Sequence, residues 1–186
     1  MASKNQNAHT LTLGDVKRLG AALLDIADRY PTGFVTEIDF YPLVIAFLSW
    51  KLAGLKAEAR GGEGTEAVDF KVTRTTNPAY LELAVAPRVL GDLEADVPKA
   101  FPNKTQLYAT QNASELNKLS SLGGATKGRF LLLLDLRKKP HDVQDLRNKY
   151  EAAAKEMSGS NGVRVVYIHR DKQSCADFLI KNPAKK

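Results

Sequence analysis

The segment Arg129 to Leu136, RFLLLLDL, constrains the fold of this chain more than any other stretch. A strand with one face in water alternates apolar and polar residues; a near-continuous apolar run of this length is stable only when both faces are covered. That demands a sheet between two layers, and helices are the usual cover. The chain supplies them. Val16, Leu19, Leu23 and Ile26 recur at helical spacing and predict a helix over Leu11 to Tyr30, ended by Tyr30-Pro31-Thr32-Gly33. A second helix is expected from about Glu37 to Leu55, with Phe40, Leu43, Val44, Phe47 and Leu48 on its apolar side. Pro42 favours a start near Asp39, because its missing N–H is harmless only in the first turn. Further helices are expected over Gln106 to Leu122, closed by Gly123-Gly124, and over Asp142 to Met157, where Val143, Leu146 and Tyr150 share one side. Val163 to His169 reads as another strand. Val68 to Val72 and Tyr80 to Val85 alternate and, joined through the turn signal Asn77-Pro78, read as an antiparallel hairpin. The order α-α-β-β-α-β-α-β implies an α/β sandwich around a mixed sheet. With no internal repeat or linker, residues 10–180 read as one domain, flanked by a disordered 1–9 and a frayed basic tail, 181–186.

Composition excludes several classes. Cys175 is the single cysteine, so no internal disulfide can form, and with only His9, His141 and His169 beside it a Cys/His zinc site is close to excluded. The longest uncharged apolar run, Phe40 to Trp50, is too short to span a bilayer. The polar Met1 to Thr10 lacks the apolar core of a signal peptide, and a soluble cytoplasmic protein is the expectation. The net charge of +6 is uneven: the first hundred residues are slightly acidic and the remainder carries the whole basic excess. A basic half beside an acidic half suggests a polyanion partner and a separate carboxylate site, with ordinary solubilising charge as the plainer explanation.

The hairpin carries the most informative chemistry. Side chains alternate faces along a strand, so Val68, Phe70 and Val72 should share one face and Asp69 and Lys71 the other. In the partner strand Leu81, Leu83 and Val85 share a face, and Tyr80, Glu82 and Ala84 take the opposite one. If both apolar sets face the same core, Asp69, Lys71 and Glu82 emerge together. Two carboxylates suit a hard divalent cation such as Mg²⁺, which keeps several waters of its own. Such an ion acidifies a bound water and neutralises phosphodiester charge, while an adjacent ammonium stabilises the transition state. The plain alternative is a solvated polar face on a half-exposed hairpin.

The succession Thr36-Glu37-Ile38-Asp39-Phe40-Tyr41-Pro42-Leu43, Val68-Asp69-Phe70 and Tyr80-Leu81-Glu82-Leu83-Ala84 resembles the PD-(D/E)xK nuclease superfamily over roughly residues 35–170. The resemblance implies a restriction-endonuclease-like α/β/α sandwich with a central mixed sheet and an extra N-terminal helix. It implies that Glu37, Asp69 and Glu82 are catalytic carboxylates holding Mg²⁺, and that the substrate is nucleic acid, DNA by preference. One departure is sharp: the lysine expected two positions after the last acid is Ala84. Two readings stay open. Lys71 stands in for the absent ammonium and the chain is a Mg²⁺-dependent endonuclease, or the chemistry is lost and the fold serves nucleic-acid binding or protein interaction. Asp39 and Glu58 are alternatives to Glu37 if the helix register differs. Arg88 is a further candidate cation.

Lys99, Lys104, Lys118, Lys127 and Arg129 follow the hairpin, and the resemblance puts them beside the cleft, where they would contact phosphates without reading sequence. Arg137-Lys138-Lys139 and Lys185-Lys186 are alternatives for that work, and each lysine is more commonly just a solvated charge. The first helix caps the sheet or joins two copies in a homodimer, since nucleases that cut both strands often pair subunits. Gly61-Gly62-Glu63-Gly64 lacks the Lys-Ser/Thr of a phosphate loop and reads as a turn. His141 and His169 have no neighbouring nucleophile in sequence. Tyr41 and Trp50 read as core or interface residues, and Cys175 as a packed or semi-exposed thiol.

Overall fold

The computed structural model describes residues 11–34, 36–51, 55–57, 68–72, 78–86, 107, 109, 112–123 and 128–184. Its elements are α1 (Leu13–Arg29), α2 (Glu37–Lys51), β1 (Leu55–Ala57), β2 (Phe70–Val72), β3 (Ala79–Ala86), α3 (Ala113–Ser121), β4 (Gly128–Asp135), α4 (Val143–Ala153), β5 (Val163–His169) and β6 (Cys175–Ile180). Among the described residues the strands form a six-stranded sheet in simple sequence order. β3, β4 and β5 run parallel, and β1, β2 and β6 are antiparallel additions at the two sides. The two parallel links run through α3 and α4, as parallel neighbours require a crossover.

Each face of the sheet has its own core. On one, Leu83, Val85, Leu132, Leu134 and Val166 pack with Leu19, Leu23 and Leu24 of α1 and Phe40, Val44 and Leu48 of α2. On the other, Ala84, Leu131, Leu133, Val165 and Tyr167 pack with Leu116 and Leu119 of α3 and Leu146 and Tyr150 of α4. The architecture is therefore an α/β/α sandwich with a mixed sheet, and β4 is buried on both faces from Phe130 to Asp135, as its sequence demands. Thr12 and Asp15 cap α1 reciprocally, an arrangement typically worth about 1 kcal/mol. Among the described residues no helix is long and apolar enough to cross a membrane.

Several expectations are corrected. α2 begins at Glu37, not near Asp39, which leaves Pro42 inside the helix. Asp39 instead fixes the entry, its Oδ2 accepting from Thr36 N (2.6 Å) and Oγ1 (2.9 Å). The bond that Pro42 cannot donate falls on Ile38 C=O, and both residues lie on the exposed side of the helix, where water can replace it. The regular part of α3 starts only at Ala113. β6, unforeseen, adds to β5. The chain end is docked through residue 184: buried Asn182 donates from Nδ2 to Met157 O (2.6 Å) and accepts from Ala184 N (2.9 Å). Trp50 is exposed, outside either core. The expected disordered 1–9, Gly61-Gly62-Glu63-Gly64, Glu58, Arg88, Lys99, Lys104, Lys127 and Lys185-Lys186 lie outside the described residues.

α3 is anchored at its C-terminal end. Ser158 N donates to Asn117 Oδ1 (2.7 Å), and Asn161 Nδ2 donates to Ser120 O (2.9 Å). Gly159 makes this approach feasible, since a Cβ there would sit 2.1 Å from the Ser120 carbonyl carbon. This fixes the helix that carries Lys118 over the sheet.

Candidate active site

β2 covers only part of β3. Its ladder runs from Val72↔Ala79 to Phe70↔Leu81 and stops there. Asp69, the next residue back, departs from the strand. Val68 packs in the α3/α4 core while Phe70 packs in the α1/α2 core, so the strict alternation expected across Val68, Phe70 and Val72 breaks at this bend. The physical reason is a side-chain substitute for the ladder: Asp69 Oδ2 accepts the Leu83 backbone N–H at 2.9 Å. The Asp69 carboxylate thereby lies along the margin of β3, where groups from both helical layers reach it.

From the α1/α2 side comes Tyr41, whose hydroxyl donates to Asp69 Oδ1 at 2.6 Å and lies 3.1 Å from Glu37 Oε1, one helical turn earlier. Its ring rests edge-on against Phe70, 4.9 Å between centroids. A phenol has one proton, and the shorter contact assigns it to Asp69. Glu37 meets Tyr41 best when it carries a proton of its own and donates to Tyr41 Oη. Its environment favours that state: burial first, then the Asp69 charge, push its pKa up to about 7. Burial and the same Asp69 carboxylate hold the Tyr41 phenol well above its ordinary range.

From the α3/α4 side comes Lys118. Glu82, 1% exposed, points from the middle of β3 toward α3. The Lys118 ammonium lies 2.9 Å from Glu82 Oε1 and 3.5 Å from Glu115 Oε2. These are ion-pair contacts off the hydrogen-bonding direction, so Glu82 Oε1 and Glu115 Oε2 are buried with no aligned donor. Burial and the adjacent Asp69 push the Glu82 pKa up, and Lys118 only partly opposes this. Burial pulls Lys118 down, but Glu82, Glu115 and Asp69 together hold its pKa above the usual value. Four carboxylates thus face one ammonium, which is more negative charge than a half-buried site tolerates without protons or a cation.

The structure therefore brings Glu37, Asp69 and Glu82 into one cluster and adds Tyr41, Glu115 and Lys118, whose parts in it the sequence reading did not assign. Lys118, expected on the surface for phosphate contact, is turned inward, its side chain 13% exposed. Lys71 shares the face of Glu82, but its ammonium lies over the Tyr80 ring, 5.9 Å from the centroid. It is not among the leading influences on Glu37 or Glu82, where burial, Asp69 and Lys118 dominate. Ala84 is 2% exposed in the α3/α4 core, where a lysine stem would displace apolar packing. Among the described residues no three acidic, imidazole or thiol side chains converge as a ready-made metal cage.

A second buried network stands apart, at the C-terminal ends of β4 and β5. Asp135 accepts from Arg137 Nε (2.8 Å) and Nη2 (2.7 Å) and from the Tyr167 hydroxyl (2.9 Å). His169 Nε2 is 2.7 Å from Arg137 O, and Tyr167 Oη accepts from His141 N (2.9 Å). These contacts hold the loop after β4 and bring no nucleophile to either imidazole. Cys175 is exposed on β6.

The fold and the cluster define an α/β/α sandwich with a carboxylate–lysine site at the margin of β3, reached from both helical layers. No family model matches the chain, and no curated protein matches it. Among solved structures, it is similar to that of Pyrococcus furiosus SfsA in complex with Ca²⁺, with 16% identity, 81% of this chain and 68% of that chain covered, and a TM-score of 0.30.

Proposed function

We propose that this chain is a Mg²⁺-dependent nuclease of the PD-(D/E)xK kind acting on DNA, with Lys118 in place of the lysine that Ala84 lacks. The single observation that carries the reading is the convergence of Asp69 and buried Glu82 with an ammonium 2.9 Å from the latter. The donor set fits a hard divalent cation. It is all oxygen, it holds excess negative charge, and one buried Glu82 oxygen has no aligned donor. Asp69 and Glu82 would hold the ion, Glu37 joining through Tyr41. When bound, Mg²⁺ supplies charge neutralisation at the phosphodiester and a more acidic water.

The protein's own groups do the rest. Tyr41 and the Leu83 amide each take one Asp69 oxygen and fix the carboxylate's orientation. Lys118, kept protonated by its acidic neighbours, orients the attacking water and offsets charge on the phosphoryl oxygens. Glu37, poised near neutrality, accepts and returns a proton through Tyr41 Oη. A second reading, a nuclease fold without cleavage that binds nucleic acid, is favoured by Ala84, which is buried in the α3/α4 core at the position where the superfamily carries its lysine.

Plasmid nicking separates the two. Cleavage in Mg²⁺, none in EDTA, and loss in a folded Asp69→Asn variant support the nuclease. DNA binding with no cleavage in Mg²⁺ or Mn²⁺ supports the silent reading. Cleavage that survives in both Asp69→Asn and Glu82→Gln rejects the metal site.

A further inference from the structure

Beside the carboxylates lies a row of different character. Lys71 on β2, Tyr80 on β3 and Arg129 on β4 are direct register partners across three adjacent strands. All three face the α3/α4 side, since Phe70, Leu81 and Phe130 next to them pack in the opposite core. Lys71 and Arg129 are both partly exposed. Neither has a carboxylate partner within ion-pair distance among the described residues, although the acidic cluster begins two residues further along β3 at Glu82. Lys71 Nζ sits over the neutral Tyr80 ring, a contact that orients an ammonium and leaves its charge uncompensated. Arg129 is held at one corner, Nη2 donating to Leu122 O (2.6 Å), while its buried Nε has no partner. Burial also lowers its pKa, so the folded chain holds this cation at a cost that the single bond to Leu122 O only partly offsets. An under-satisfied guanidinium fixed on a sheet is the geometry of an anion clamp.

The spacing fits one kind of anion. Two strand spacings separate Lys71 from Arg129, roughly 9.6 Å between their Cα positions, and the row lies about 6.6 Å along β3 from Glu82. A phosphate held between the two cations would lie about one nucleotide from a phosphodiester at Asp69 and Glu82. We propose that Lys71 and Arg129, spaced by Tyr80, form the subsite that holds the phosphate next to the scissile one on the same nucleic-acid strand. The subsite rests on the nucleic-acid reading above and gives Lys71 a binding role in place of the catalytic one.

The test is fluorescence anisotropy of a labelled DNA oligonucleotide in EDTA, with the full chain, over a range of salt. Lys71→Ala and Arg129→Gln should each weaken binding about five- to tenfold at low salt and reduce the slope of log K against log salt by roughly one. Lys71→Arg should retain most of the affinity. Lys71 is partly exposed on a strand surface, so its variant remains decisive if Arg129→Gln fails to fold. Affinity within twofold and an unchanged slope in Lys71→Ala, with the unaltered chain binding, overturns the subsite and leaves the nuclease reading standing. Absence of salt-sensitive binding by the unaltered chain overturns both.

Discussion

Glu37→Gln should stabilise this protein, increasingly as pH rises from about 4.5 and fully only above neutral pH. In the folded chain the Glu37 carboxyl has its pKa pushed up from 4.5 to about 7, by burial first and the Asp69 charge second. Between those two values the folded state holds a proton that the unfolded chain has released. Stability therefore falls as pH rises through this window, and the cost is complete above pH 7. A rise of that size corresponds to at most about 3 kcal/mol, and partial solvent access reduces the working figure to roughly 1.5–3 kcal/mol. Glutamine mimics the protonated acid: its amide donates to Tyr41 Oη as the carboxyl proton would, and it never ionises. At pH 4 the two proteins should melt together. At pH 8.5, in EDTA, the variant should melt roughly 3–12 °C higher, taking about 2–4 °C per kcal/mol for a chain of this size. Thermal denaturation followed by circular dichroism at the two pH values measures this directly. An equal shift at both, or a lower melting temperature for Glu37→Gln at pH 8.5, refutes the argument that Glu37 is a strained anion beside Asp69.

Three further outcomes follow from the same geometry. Lys118→Met should abolish plasmid cleavage and lower the unfolding free energy in urea by about 2 kcal/mol, less than the usual penalty for breaking a buried ion pair because Glu82 can take up a proton; the stability loss should shrink when Glu82→Gln is added. Mg²⁺ at about one hundred times its dissociation constant should stabilise the chain by about 2.7 kcal/mol, seen as a rise in melting temperature, and Asp69→Asn should remove the response. Asp135→Ala removes the acceptor of the Arg137 fork and the Tyr167 hydroxyl; it should cost about 3 kcal/mol in urea melts and leave the Mg²⁺ response intact.

The elements set by strong local patterns were legible in the sequence. Val163 to His169 is the strand its hydrophobicity predicts, and the run from Arg129 lies within β4 up to Asp135, because a segment that apolar has nowhere to go but the middle of a covered sheet. The antiparallel pairing of β2 with β3 was legible from alternation, while residue 77 of the Asn77-Pro78 turn signal lies outside the described residues. What alternation could not reveal is the bend at Asp69, which exists because its carboxylate takes the Leu83 amide and so sends Val68 to the other core. β6 escaped notice because it is an edge strand: Asp177 and Cys175 interrupt it, and only Phe178 and Ile180 are buried. Pro42 misled for a related reason. Its local penalty is modest on an exposed side, while Phe40, Val44 and Leu48 beneath it fix the helix by packing.

On the proposed nuclease reading Lys118 takes the place of a lysine at position 84, and packing gives that displacement its logic. A lysine carried on β3 at position 84 would thread its stem through the layer where Leu116 and Leu119 of α3 meet Leu131 and Leu133 of the sheet. Alanine there keeps that layer apolar, and the charge arrives instead from α3, whose Lys118 reaches Glu82 from above. In sequence, Glu115 and Lys118 look like an ordinary surface pair three residues apart on a helix, and only tertiary contact converts Lys118 into the counter-charge of a buried carboxylate. An Ala84→Lys substitution is therefore expected to disrupt the α3 layer rather than restore a missing group, lowering stability in urea without raising cleavage. Cleavage that increased in that variant, or that survived Lys118→Met once Ala84→Lys was added, would show that the strand position can still serve and that Lys118 is no replacement for it.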